Sequence, residues 1–247
     1  KLILCSGTLG TARIALRSSP GDSKRLPLLC NPYKYFTLLQ LSQLGKVSHE
    51  PRTAFAQLAL FHDSQKNNMD VGAASIYSYN SLMLFRTIKE VPLNFREGRK
   101  IMQALLPAVS VMGVHHPDNG SGTKYLELIK DGNSLTGDKL KAEYVLSESE
   151  SVQINKREKQ YKSAMRKLGC YTLKKIDPGY GSSIHYAGCL PFSKEEKEYH
   201  LNQNGRVCNT KNVFVADGSG FTYLPAKGIT LSIMAYAHLT ALNVLNS

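Results

Sequence analysis

The chain has 247 residues and a mass of 27.3 kDa; 42% of its residues are hydrophobic and 20% charged. That balance excludes a disordered chain, and the length suits one large domain or two modest ones. Lys and Arg outnumber Asp and Glu by 31 to 19, a formal charge of +12; much of the excess lies between Lys156 and Lys175, which reads either as a solvated helix face or as a surface that steers an anion, a polyanion or an acidic membrane. No run approaches the roughly 20 apolar residues of a membrane-spanning helix.

The opening Lys1-Leu2-Ile3-Leu4-Cys5 carries no initiator Met and no signal peptide. Leu2 to Cys5 reads as a buried strand already under way, which points to a longer parent protein. Gly7 to Leu16 then reads as a turn feeding a short helix that ends before Pro20-Gly21, an arrangement whose backbone N–H groups suit an anion, although GxGxxG occurs nowhere in the chain. From Leu26 the pattern is mixed, with a helix expected over Tyr35 to Leu44, a strand over Ala56 to His62, and a strand or short helix over Tyr79 to Ile88. Arg96 to Leu106 reads as helix, Ala108 to His115 as a buried strand, and His116 to Gly120 as a loop.

Lys124 to Ile129 and Leu140 to Leu146 both alternate, with Asp131-Gly132-Asn133 between them as turn chemistry, so antiparallel strands are expected. Ser147 or Ser149 can cap a helix that Gly169 stops after Leu168, with Val152, Ile154, Tyr161, Met165 and Leu168 as its apolar side. Val213 to Ala216 is a hydrophobic strand, Asp217 to Gly220 a turn, and Ile229 to Leu245 is apolar nearly all round, as in a helix buried on most faces. A buried strand, a Gly turn and a buried helix fit an edge of a layered α/β domain.

Among candidate functional groups, His185 stands out for its setting. Gly181, Ser182, Ser183, Ala187 and Gly188 surround it with small residues, so a bulky ligand can approach, and an imidazole can accept an alcohol proton near neutral pH. His115-His116 reads as a strand end, because neighbours on a strand point apart and do not converge on one metal ion. Asp217-Gly218 is either an ordinary turn or a place where backbone N–H groups meet a phosphate or a flavin side chain. Lys227 is either a surface lysine or a substrate-side donor. Five cysteines (Cys5, Cys30, Cys170, Cys189, Cys208) include no CxxC pair and read as free thiols of a reducing cytoplasm, with no metal site.

Three segments resemble the glucose-methanol-choline (GMC) family of FAD-dependent oxidoreductases in its carboxyl-terminal part. Leu2 to Arg13 resembles the family's strand and "AGA-x-GTP/S-R-LL" turn, Ser183 to Pro191 its "H-x-x-GT-x-x-M" loop, and Asn212 to Ser219 with Ile229 to Ala237 its closing "NLYVxDAS … NPTLTIMALA" block. The resemblance implies an α/β fold with α+β character: residues 1–30 and 181–247 as parts of an FAD-binding layered domain, and 31–180 as an inserted antiparallel-sheet substrate domain. It implies that His185 takes the hydroxyl proton of an alcohol, on a sugar or other polyol, while hydride passes to flavin N5. It also implies that FAD lies against Ser6, Gly7, Thr8, Asp217, Gly218, Gly228 and Thr230. Where the family has a His or Asn partner near the last helix, Lys227 or Gly228 falls here. The family's amino-terminal GxGxxG segment is absent, so the rivals are a non-catalytic remnant that binds a ligand and, ranked last, a basic nucleic-acid module without zinc-finger spacing or an aromatic RNA-binding motif.

Overall fold

The computed structural model describes residues 1–18, 25–46, 56, 58–63, 70–78 and 94–246; the element expected over Tyr79 to Ile88 lies outside them. In chain order the elements are β1 (Leu2–Leu4), α1 (Gly7–Arg17), β2 (Arg25–Pro27), β3 (Leu29–Cys30), β4 (Tyr33–Gln40), β5 (Leu58–Asp63), β6 (Val71–Ser78), α2 (Phe95–Leu105), β7 (Val109–His115), β8 (Thr123–Lys130), β9 (Asp138–Val145), α3 (Glu148–Lys167), β10 (Cys170–Ile176), β11 (Tyr186–Ala187), β12 (Val213–Val215) and α4 (Thr230–Leu245). They fall into two compact units, Lys1–Pro32 with Pro117–Val152 and Tyr180–Ser247, and Tyr33–His116 with Gln153–Gly179.

In the first unit β1 and β12 pair in parallel, Ile3 opposite Phe214. The segment 117–152 joins this unit because β2 pairs antiparallel with β8, Leu26 opposite Leu126, and β8 continues into β9. Leu4, Ala12, Leu26, Leu126, Leu190 and Val215 close a core between α1 and these strands; each Leu or Val so buried contributes about 1.5–3 kcal/mol. Two expectations are corrected here. Of β1 only Leu4 is buried, while Leu2 and Ile3 are exposed. The last helix holds to the unit by one side, where Tyr236 donates its hydroxyl to Val215 O at 2.6 Å and Thr240 is buried; Leu231, Met234, Leu239, Leu242 and Leu245 are exposed. Apolarity all round a helix signals the capacity for burial, and this unit covers only part of it.

The second unit is an antiparallel sheet in the order β10-β4-β7-β6-β5. The helix expected over Tyr35 to Leu44 is strand β4, followed by a single 3-10 turn at Leu41–Gln43. Its alternation decides the matter: Phe36 and Leu38 are fully buried with Met112, Val114, Tyr161 and Met165, whereas Tyr35 and Thr37 take the opposite face. α3 begins at a capping box, in which Glu150 N–H donates to Ser147 Oγ (3.3 Å) and Ser147 N–H to Glu150 Oε2 (2.9 Å). Ile154, Tyr161 and Met165 are its buried side, as expected, but Val152 and Leu168 are exposed. In the basic stretch from Lys156 to Lys175, which begins within α3, Arg157 is the exception to solvation: it is 1% exposed and pairs with Asp70 at 2.6 Å.

Candidate functional site

The site is built in the first unit around the end of β12. Asp217 caps the 3-10 turn Gly218–Gly220, its Oδ1 accepting from Ser219 N–H at 2.9 Å and Ser219 Oγ–H at 2.5 Å, while Oδ2 accepts the Thr11 hydroxyl of α1 at 2.6 Å. These bonds consume the carboxylate inside the protein, so only backbone is left here to meet a ligand. The segment after His185 is stitched along the same turn: Gly188, Leu190 and Phe192 donate backbone N–H to the carbonyls of Gly218, Ser219 and Gly220 at 3.1, 2.9 and 3.0 Å. Gly188 is required there. Its φ is +76°, and a Cβ would lie 2.8 Å from Leu29 Cγ and 2.9 Å from Phe221 O.

Gly218 marks where three segments meet. A Cβ at this position would lie 3.3 Å from Tyr186 O, 3.4 Å from Thr8 Oγ1 and 3.7 Å from Ile233 Cδ1, atoms of the His185 segment, of the first turn of α1 and of the first turn of α4. Neither helix start is closed by a side chain: Ser6 and Ile229 make no cap hydrogen bond, and no acidic residue lies in either first turn. Such ends keep backbone N–H groups and a partial positive charge for an anion. The Thr8 hydroxyl is turned inward, donating to Tyr186 O at 2.8 Å. Ser6 and Gly7 are exposed at the start of α1, and Lys227, Gly228 and Thr230 at the start of α4, with no heavy atom within 4 Å of where a Gly228 Cβ would stand.

His185 is half-buried, and burial lowers its pKa. It follows Ile184, a β-branched residue in the left-handed region (φ +62°) that is 80% exposed, a conformation costing about 1–2 kcal/mol. His185 Nδ1 lies 3.1 Å from Asn31 Oδ1. Asn31 is 2% exposed and donates Nδ2–H to Pro225 O at 3.1 Å and Leu224 O at 3.4 Å. Through this amide His185 is tied to the segment that leads into Lys227 and α4.

Behind Asn31 stands Asp118, fully buried. Its Oδ2 accepts Cys30 N–H (2.8 Å) and the Tyr144 hydroxyl (2.8 Å), and its Oδ1 accepts Gly120 N–H (2.9 Å) and Lys124 Nζ (2.7 Å). Lys124, buried on a strand read as alternating, also reaches Glu150 at 2.7 Å. Asp118 exchanges both backbone hydrogen bonds with Leu224, each 2.9 Å. Sequence reasoning missed Asn31, Asp118, Lys124 and Tyr144. A charged residue on the inward side of a strand beside a loop Asp was the one available signal, in Lys124.

In the second unit β7 ends at His115, and His116 is fully buried. Arg157 Nη1–H donates to its Nδ1 at 2.9 Å; burial first, then the charges of Arg157, Lys34 and Lys175, hold its pKa well below 6.5. Among the described residues no group of three His, Cys, Asp or Glu is placed to hold a metal, and all five cysteines are unpaired thiols. Also among the described residues, no helix is long and apolar enough to cross a membrane.

The profile of the family described as GMC oxidoreductase, in its carboxyl-terminal part, matches residues 116–237, a stretch that holds His185, Asp217, Gly218, Lys227 and Thr230. Among solved structures, pyridoxine 4-oxidase from Mesorbium loti superposes over 99% of this chain and 51% of its own, with a TM-score of 0.56 and 14% identity. The likeness is one of fold, and the chain spans about half the length of that structure. No protein with a curated description matches it in sequence. Residues 116–237, just under half of the chain, match the carboxyl-terminal part of the GMC oxidoreductase family, and the fold along nearly the whole chain is similar to that of this oxidase.

Proposed function

We propose that the chain is part of an FAD-dependent oxidoreductase that oxidises an alcohol CH–OH group on a small molecule such as a sugar or other polyol, with His185 as the base. The observation that carries this reading is the meeting at Gly218 of the His185 segment with two helix starts that no side chain closes. The fit to FAD is chemical: those N–H groups suit its pyrophosphate and the anionic side of its reduced ring. Ser6, Gly7 and Thr8 at one helix start, Asp217 and Gly218 at the strand end, and Gly228 and Thr230 at the other helix start would hold it through backbone. FAD, when bound, supplies the hydride acceptor.

His185, kept neutral by burial at pH 7, takes the substrate's hydroxyl proton. Lys227, exposed beyond Pro225, hydrogen-bonds the substrate oxygen and stabilises alkoxide character. The ADP half of the cofactor is assigned to an amino-terminal GxGxxG segment, which these 247 residues do not contain. Five unpaired thiols, four of them buried, support a reducing cytoplasm as the compartment.

The test is flavin reduction in the full-length parent, with a panel of alcohols, before and after His185→Ala. A loss of about 10²–10⁴-fold in rate is expected. An unchanged rate removes the role of His185 and leaves the non-catalytic, ligand-binding reading in its place.

A further inference from the structure

We propose that Asn31 is a positioning residue: it fixes which ring nitrogen of His185 carries the proton. An amide NH2 only donates and a backbone carbonyl only accepts, so Nδ2 must face Leu224 O and Pro225 O, and Oδ1 must then face His185. Oδ1 is an acceptor, so the nitrogen 3.1 Å from it, Nδ1, is the one that bears hydrogen. A neutral imidazole has a single ring proton. Nε2 is therefore the lone-pair nitrogen, the tautomer opposite to the one commoner for histidine in water.

The amide cannot turn over without placing its oxygen against two carbonyl oxygens. Nor can its backbone drift, because Asp118 grips both sides of the arrangement, holding Cys30 N–H with its side chain and Leu224 with its main chain. Tyr144 OH adds a bond to Cys30 O at 2.5 Å. The assignment deepens the reading of His185 as the base, and rests on that reading for its functional meaning. When the substrate O–H bond breaks, its proton forms the new bond at Nε2 and the imidazolium keeps its Nδ1–H on Asn31 Oδ1; bound FAD would supply the acceptor for the hydride that leaves carbon. No proton has to be moved around the ring first.

The experiment uses the 247-residue chain with 15N-labelled histidine, at slightly alkaline pH, reading the protonation of each ring nitrogen of His185 by NMR, with His185→Gln to assign the signals. Wild type should show Nδ1 protonated and Nε2 bare. Asn31→Leu, similar in size and without a polar atom, should shift the tautomer ratio toward Nε2–H by about fivefold, the factor one hydrogen bond of ordinary worth makes. Asn31→Asp keeps the acceptor facing His185 but sets its second oxygen against Leu224 O and Pro225 O, so it should lose stability while keeping the Nδ1–H tautomer and raising the His185 pKa. A residue that only held the fold would change stability in both variants and the tautomer in neither.

Wild-type His185 protonated at Nε2 overturns the proposal without any variant, and so does a ratio unmoved in Asn31→Leu. Should the tautomer behave as expected while His185→Ala leaves flavin reduction intact in the parent, the functional reading falls and the role of Asn31 in setting the tautomer remains.

Discussion

Replacing Asp118 with Ala should be the most damaging single change in the first unit. Asp118 is 0% exposed, and its ion-pair partner Lys124 keeps only 1% of its side chain in solvent. Breaking a buried pair by removing one member costs about 3–5 kcal/mol, because the other charge stays buried. Lys124 retains Glu150 at 2.7 Å, which places this part near the lower figure. The Cys30 N–H then has no acceptor at its former 2.8 Å site, a further loss of about 1–3 kcal/mol, whereas Gly120 is exposed and its N–H rehydrates.

Allowing for the failure of such terms to add, a loss of about 4 kcal/mol is expected against a total stability of about 5–15 kcal/mol. Urea denaturation followed by circular dichroism measures it, and a cycle with Lys124→Met isolates the pair. The double variant leaves neither charge facing a void, so it should be more stable than the sum of the single losses predicts, by about 2 kcal/mol. A single-variant loss below about 1 kcal/mol, or a double variant equal to the sum within about 0.5 kcal/mol, refutes the reasoning.

Ile184→Gly removes a left-handed penalty of about 1–2 kcal/mol and adds about 0.5–1 kcal/mol of glycine entropy, so the urea midpoint should rise slightly; a fall would mean that the exposed isoleucine side chain holds the loop. His116 gives a pH dependence whose sign follows from its lowered pKa. Below the ordinary value of 6.5 the unfolded chain takes up a proton that the folded protein resists, so stability is full above that pH and is lost as pH falls toward the folded pKa. The slope from this group is about 1.4 kcal/mol per pH unit, and His185, also lowered, acts in the same direction. Chemical denaturation across this range should flatten in His116→Gln; an unchanged slope would rule His116 out as its source.

What was legible in the sequence and what was not follows from the range of the forces involved. The β8 and β9 strands could be read because their alternation and the turn between them are local, and the register Leu126 opposite Ala142 follows from the turn. β4 could not: with Phe36, Leu38 and Leu39 apolar, Tyr33 to Gln40 fits either period, and the choice is made by β7 and β10 pairing on its two sides. Asn31 left no trace at all, since His185, Leu224 and Pro225, which it bonds, lie 154 to 194 positions away and none of them constrains the residues beside it. Lys124 shares the inward face of Leu126 on its strand, yet its role was not readable, because a buried cation is tolerable only where Asp118 and Glu150 already wait, and neither is its neighbour in sequence. The same asymmetry runs through the site. Glycines and helix starts carry local signatures, whereas the amide of Asn31 and the carboxylate of Asp118 act across the fold and are written only in the tertiary hydrogen bonds.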